Sequence, residues 1–176
     1  EAAGQEVRGY RAPGFSVTPE TPWAFEEIAA AGFRYDSSVF PGQRGHGGLP
    51  GAPLAPYLVE TRAGPLAELP VSVVALGPGR LCFFGGGYLR LTPYPLIRAM
   101  SKLVNLRRRP VLYYVHPREV DPSHPRLEMG ALRRFKSYVN LKSTESKLRR
   151  LVRDQSLTTI GAWLAANEHT LEARSA

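Results

Sequence analysis

An α/β fold is predicted by three features of this 176-residue chain. Short β-rich runs alternate with amphipathic helical stretches, and an early segment reads strand–helix–strand. Seventeen glycines and sixteen prolines supply the turns between them. Parallel strands need a crossover connection, so this alternation builds parallel sheets or barrels. An apolar content of 43% is enough for a core. No apolar run approaches the roughly 20 residues that span a bilayer.

The elements follow in order. VRGYRAP (7–13) reads as a short strand stopped by Pro13, since a residue before proline is pushed out of the helical region. In TPETPWAFEEIAAAG, Thr18 is an N-cap candidate, Pro19 suits the first helical position and Glu20 complements the dipole. Phe25, Ile28, Ala29 and Gly32 keep helical spacing, with Gly32 as C-terminal cap. FRYDSSVF then reads as the second strand. PGQRGHGGLPGAPLAPY (41–57) is a long Gly/Pro loop without a period.

ELPVSVVAL and RLCFF are predicted strands on either side of the GPG turn at 77–79. A helix is expected near 95–107, with Leu96, Ile97, Met100, Leu103 and Val104 on one face. VLYYV (111–115) reads as a strand, followed by helices around 127–139 and 144–154. SLTTIG reads as a last strand, and the tail AWLAANEHTLEARSA as a helix that frays. No internal repeat is present.

Charge and cysteine bound the chemistry. The single cysteine, Cys82, excludes an internal disulfide, leaves the compartment open and reads as a core residue. The net charge of +8 concentrates in RRR at 107–109 and in residues 133–153. Solvated helix faces or a patch for an acidic glycan or nucleic acid both fit such charge. No serine lies in a triad-like pattern, so acyl-enzyme chemistry has no support.

Three polar residues stand at predicted strand ends: Arg11 in RAP, Asp36 in RYDSS and His116 in YVHP. Ligands in α/β folds bind at the carboxyl ends of strands. An arginine there orients a carboxylate through a bidentate fork or makes an ordinary surface ion pair. His116, restrained by Pro117, reads as a packed structural histidine or as a positioned proton donor. Glu119 and Asp121 follow closely enough to favour its charged form. GGGY (85–88) permits close backbone approach of a ligand, with Tyr88 available to stack on a sugar, or it is a bend between elements. His46 and His124 read as loop residues.

GYRAPGFSVTPETPWAFEEIAAAGFRYDSSVFP, GGGYLRLTPYP and YYVHPREVDPSHPRL occur in that order. Together they resemble the polysaccharide deacetylases of carbohydrate esterase family 4, the NodB-homology fold. The subgroup from bacterial exopolysaccharide loci of the PEP-CTERM type is the most similar. The resemblance runs from about Val7 to Ile160. It implies the C-terminal part of a distorted (β/α) barrel with a long Gly/Pro-rich insertion. Residues 1–45 would end the deacetylase core, 46–165 would be an associated region carrying the HP motif, and 166–176 a tail.

The resemblance further implies a divalent metal, usually zinc, that activates water against an acetamide. It assigns His116 as general acid protonating the departing amine, and Arg11 as the residue orienting the catalytic base. Phe15, Gly86, Gly87 and Tyr88 are assigned to the substrate, an N-acetylated polysaccharide. The implied setting is a bacterial cytoplasm or cell envelope, with no nucleic-acid partner and no membrane-spanning segment.

The sequence departs from that pattern. It contains no adjacent Asp-Asp pair and no His-x-x-x-His, the family's base and metal ligands; its aspartates are Asp36, Asp121 and Asp154. The family's Asp-x-x-Asp-Trp motif reads Asp36-Ser37-Ser38-Val39-Phe40 here, which weakens a catalytic role for Asp36. The chain opens with Glu1 rather than methionine. The expectation is the back portion of a longer enzyme, inactive alone, whose metal ligands lie upstream. A non-catalytic glycan-binding module is the alternative. A nucleic-acid-binding domain ranks last, because no motif supports it.

Overall fold

A computed structural model describes residue 4 and residues 6–43, 47–77 and 79–174. His46 and Pro78 of the GPG turn lie outside them. The chain is mixed α/β and divides into two compact units, Glu1–Val71 with Thr158–Ala176, and Ser72–Leu157. No closed barrel is formed among the described residues. Among the described residues no helix is long and apolar enough to cross a membrane.

The first unit is built on a five-stranded sheet. Its strands are β1 (Gly9–Tyr10), β2 (Tyr35–Asp36), β3 (Tyr57–Val59), β4 (Leu66–Glu68) and β7 (Ala173–Arg174), in the order β1-β2-β4-β3-β7. β1 and β2 are parallel, as expected of a strand–helix–strand unit, with α1 (Trp23–Ala30) between them. Phe25 and Ile28 of α1 pack with Val17, Val39, Tyr57, Val59 and Leu66 in one buried cluster.

The helix starts later than Thr18. Thr21 N–H bonds to Thr18 O at 3.0 Å and Thr18 N–H to Thr21 Oγ1 at 3.0 Å, so Thr18 opens a turn. Pro22 also disfavours a helical Thr21, and helix geometry begins beyond it. The tail differs too. Thr159 is an N-cap, its Oγ1 accepting from Ala162 N–H, so SLTTIG leads into α6 (Ile160–Asn167) instead of forming a strand. After α6 the chain does not fray but pairs β7 in parallel with β3.

The second unit holds the hairpin of β5 (Val74–Leu76) and β6 (Gly79–Leu81), with helices α2 (Gly86–Leu91), α3 (Tyr94–Leu106), α4 (Ala131–Tyr138) and α5 (Leu141–Asp154). ELPVSVVAL is thus divided between two sheets. Pro70, which has no N–H for a ladder, lies between β4 and β5. The core collects Val74, Phe84, Leu89, Tyr94, Ile97, Val104 and Leu151. Leu96, expected on the inner face of α3, is 41% exposed. Ser101 is buried instead, hydrogen-bonded to Ile97 O and Tyr113 Oη.

VLYYV forms no ladder. Tyr114 makes a single parallel bridge to Gly85, and Leu112 N–H is taken by Ser72 Oγ at 2.8 Å. Asn140, in left-handed geometry at φ 55°, joins α4 to α5, a conformation asparagine tolerates better than most residues.

Candidate functional site

The predicted site residues fall in two clusters, one in each unit. In the first unit, Arg11 follows β1 and Asp36 ends β2. Because the strands are parallel and Tyr10 pairs with Asp36, both stand at the same carboxyl edge. Arg11 Nε donates to Ser37 O at 3.0 Å and Nη2 to Ser37 Oγ at 2.8 Å. Ser37 Oγ–H in turn donates to Leu69 O at 2.7 Å. Ser38 Oγ accepts from Ala12 N–H and donates to Asp36 Oδ1 at 2.6 Å. The RAP turn and the DSS segment are therefore clasped together. Phe15 is buried, 6.4 Å from Phe40 between ring centroids, with the Arg11 guanidinium 5.8 Å from its ring.

Asp36 has a partner that its motif did not announce. Glu68 stands opposite it on the neighbouring parallel strand, and both are 0% exposed. Glu68 Oε1 accepts from Val39 N–H at 3.1 Å, while Oε2 has no hydrogen-bond partner among the described residues. Burial, then the neighbouring Asp36 charge, push the Glu68 carboxyl well above the usual carboxylate range. Buried Tyr57, across from Glu68 on β3, has its phenol raised by burial and by the same two acids. The available signal was an acid inside the apolar run PLAELPV.

In the second unit, the structure brings GGGY and YVHP together. Gly86 N–H donates to Tyr114 O and Tyr114 N–H to Phe84 O. A Cβ at Gly85 would fall 2.2 Å from the Tyr114 ring, so only glycine lets that ring lie against the backbone. Gly86 adopts φ 52°, and Gly87 continues α2. The Tyr114 ring in turn meets the His116 imidazole edge to face, 6.1 Å between centroids. His116 and Tyr88 are exposed.

The backbone of His116 is held by Glu119. Glu119 N–H donates to His116 O at 2.9 Å, and Glu119 Oε2 accepts from His116 N–H at 3.0 Å. No hydrogen bond or ion pair links the imidazole to Glu119 or Asp121 among the described residues. Asp121 accepts from Ser123 N–H and Oγ–H instead, which lower its carboxyl. Glu119 is 0% exposed and pairs with Arg90 Nε at 3.6 Å, Arg90 being 1% exposed. That separation is too long for a hydrogen bond, and among the described residues neither Arg90 Nε nor Glu119 Oε1 has a hydrogen-bond partner. Arg90 is fixed through Nη1 to Ser137 O at 2.6 Å and Nη2 to Lys136 O at 2.7 Å. Burial lowers the guanidinium pKa and Glu119 opposes that shift.

His124 stacks on Tyr138, and Cys82 is buried as a core residue. Among the described residues no group of three or more His, Cys, Asp or Glu side chains is placed to hold a metal ion. What the second cluster offers is an exposed imidazole on a clamped backbone, suited to proton transfer.

The family described as a domain of unknown function (DUF3473) matches residues 37–165, most of the chain. No curated protein and no solved structure shows significant similarity to it.

Proposed function

The chain belongs to the DUF3473 family of domains of unknown function, and for this member we propose the acid-bearing portion of a bacterial metal-dependent polysaccharide N-deacetylase. The observation that carries the reading is His116, an exposed imidazole whose backbone is gripped by the buried Glu119. Hydrolysis of an acetamide expels a poor leaving group, which needs a proton as the C–N bond breaks. His116 supplies that proton to the departing amine of the sugar. Arg11, braced on Ser37, orients the carboxylate base, and Tyr88 faces the polysaccharide. β1, α1 and β2 form the last strand–helix–strand of a distorted (β/α) barrel, a role consistent with their parallel pairing.

The zinc implied by the resemblance does not fit the residues present. No set of donors converges among the described residues, and the sequence has neither Asp-Asp nor His-x-x-x-His. This chain is therefore assigned no metal ligand. The base and the metal donors belong to sequence beyond the 176 residues.

Acetate release from N-acetylated oligosaccharide tests the reading. The longer protein, carrying Asp-Asp and His-x-x-x-His, releases acetate, and the 176-residue chain with added zinc does not. Metal-dependent acetate release by the short chain would overturn the assignment. The 45% exposure of Tyr88 favours a second reading, a glycan-binding module without hydrolysis. Oligosaccharide binding by the longer protein, with no acetate released, selects it.

A further inference from the structure

A cleft of about 330 Å³ in the second unit is lined by Tyr94, Pro95, Arg98, Ala99, Lys102 and Arg150. Three of these side chains are cations and none is an acid. Arg98 and Lys102 lie four residues apart on α3 and so share a side of the helix, where like charges repel. Arg150 of α5 adds the third charge. Its guanidinium sits 4.1 Å from the centroid of the Tyr94 ring. Tyr94 is itself fixed, its hydroxyl bonded to Asp154 Oδ2 at 2.7 Å and to Arg150 O at 3.1 Å.

The neighbouring acid is already engaged. Asp154 Oδ1 accepts from Arg153 Nε at 2.8 Å, and its carboxyl is held low first by Arg153, then by Tyr94. Among the described residues no carboxylate lies within ion-pair distance of Arg98, Lys102 or Arg150. Three cations thus surround a small concavity whose nearest acid, Asp154, is tied to Arg153 and Tyr94 and also feels the Arg98 charge.

We propose that this cleft binds a compact oxyanion, a phosphate or a carboxylate, between Arg98, Lys102 and Arg150. Guanidinium groups match the geometry of both anions, and the lysine adds a point charge. Arg150 already covers the Tyr94 ring, which is buried, so the cleft lacks the open aromatic platform that single-stranded nucleic acid uses.

The test is an amide NMR titration of the isotope-labelled chain with inorganic phosphate and with oligogalacturonate, each against sodium chloride at equal ionic strength. Saturable shifts confined to the helices bearing Arg98, Lys102 and Arg150 are expected, and the arm saturating at lower concentration identifies the anion's source. R98Q/K102Q weakens that binding by about tenfold or more, the loss expected when charge-assisted hydrogen bonds are removed. R133Q/R134Q on α4 leaves it unchanged. R150Q, checked for folding by circular dichroism, stands in if the double variant is unstable. Shifts no larger than those from chloride would overturn the proposal. So would equal weakening by R133Q/R134Q, or tighter binding of an oligothymidylate at the same amides.

Discussion

Glu119 Oε2 accepts the backbone N–H of His116 at 3.0 Å from a carboxyl group with no solvent exposure. The same carboxyl faces Arg90, so one buried acid ties the HP turn to α2 and, through Arg90, to the end of α4. Removing one member of such a pair leaves the other charge buried and uncompensated. Glu119→Ala is expected to destabilise the protein by about 3–5 kcal/mol, measured by urea denaturation. Glu119→Gln, which keeps an acceptor for His116 N–H, costs less.

Gly85 is predicted to be a packing glycine. An alanine Cβ there collides with the Tyr114 ring at 2.2 Å. Gly85→Ala should cost about 1–3 kcal/mol, as overpacking does. It should also shift the His116 imidazole resonances, because Tyr114 is the ring on which His116 rests. Pairing it with Tyr114→Ala, which vacates the space, should cost less than the sum of the two single changes.

The Asp36–Glu68 pair sets a pH dependence with a definite sign. Glu68 is raised by burial and by Asp36, so the folded protein keeps a proton that the unfolded chain releases above about pH 4.3. Its stabilising contribution is complete below that pH and is lost as pH rises through the raised folded value. The slope reaches at most about 1.4 kcal/mol per pH unit. Glu68→Gln should flatten this dependence and raise stability at neutral pH, as measured by urea midpoints from pH 5 to 8.

Arg11 clasps Ser37 through two hydrogen bonds from one guanidinium. Arg11→Lys loses the fork geometry, and Arg11→Ala loses both bonds. A cost of about 1.5–3 kcal/mol is expected for the alanine variant, the range for hydrogen bonds from a charged group. Thermal melting of the 176-residue chain checks it without requiring activity.

Much of this was legible in the sequence where local chemistry and tertiary packing agree. The parallel pairing of the first two strands followed from Pro13, Gly32 and the helical spacing between them. The inner face of α3 followed from its period, apart from Leu96, which is exposed, and Ser101, which is buried beside Ile97 and Val104. Elements failed where a neighbour overrode propensity. Pro22 moved the start of α1, Pro70 interrupted the third predicted strand, and Ser72 took the Leu112 N–H that a ladder would have used. The burial and partners of Glu68 and Glu119 were least visible in advance. An acid is ordinarily exposed, and nothing local in LAELP or HPREV announces that Asp36 or Arg90 waits across the fold.

The proposed deacetylase is tested most directly by His116→Ala in a longer protein that carries the Asp-Asp and His-x-x-x-His motifs, with acetate release and bound zinc measured on the same preparation. The imidazole is exposed and Glu119 holds only the backbone, so the variant should fold normally and keep its zinc. Deacetylation should fall by about 10²–10⁴-fold, the usual contribution of a general acid. Undiminished acetate release, or loss of zinc from the variant, would contradict the assignment of His116 as the proton donor.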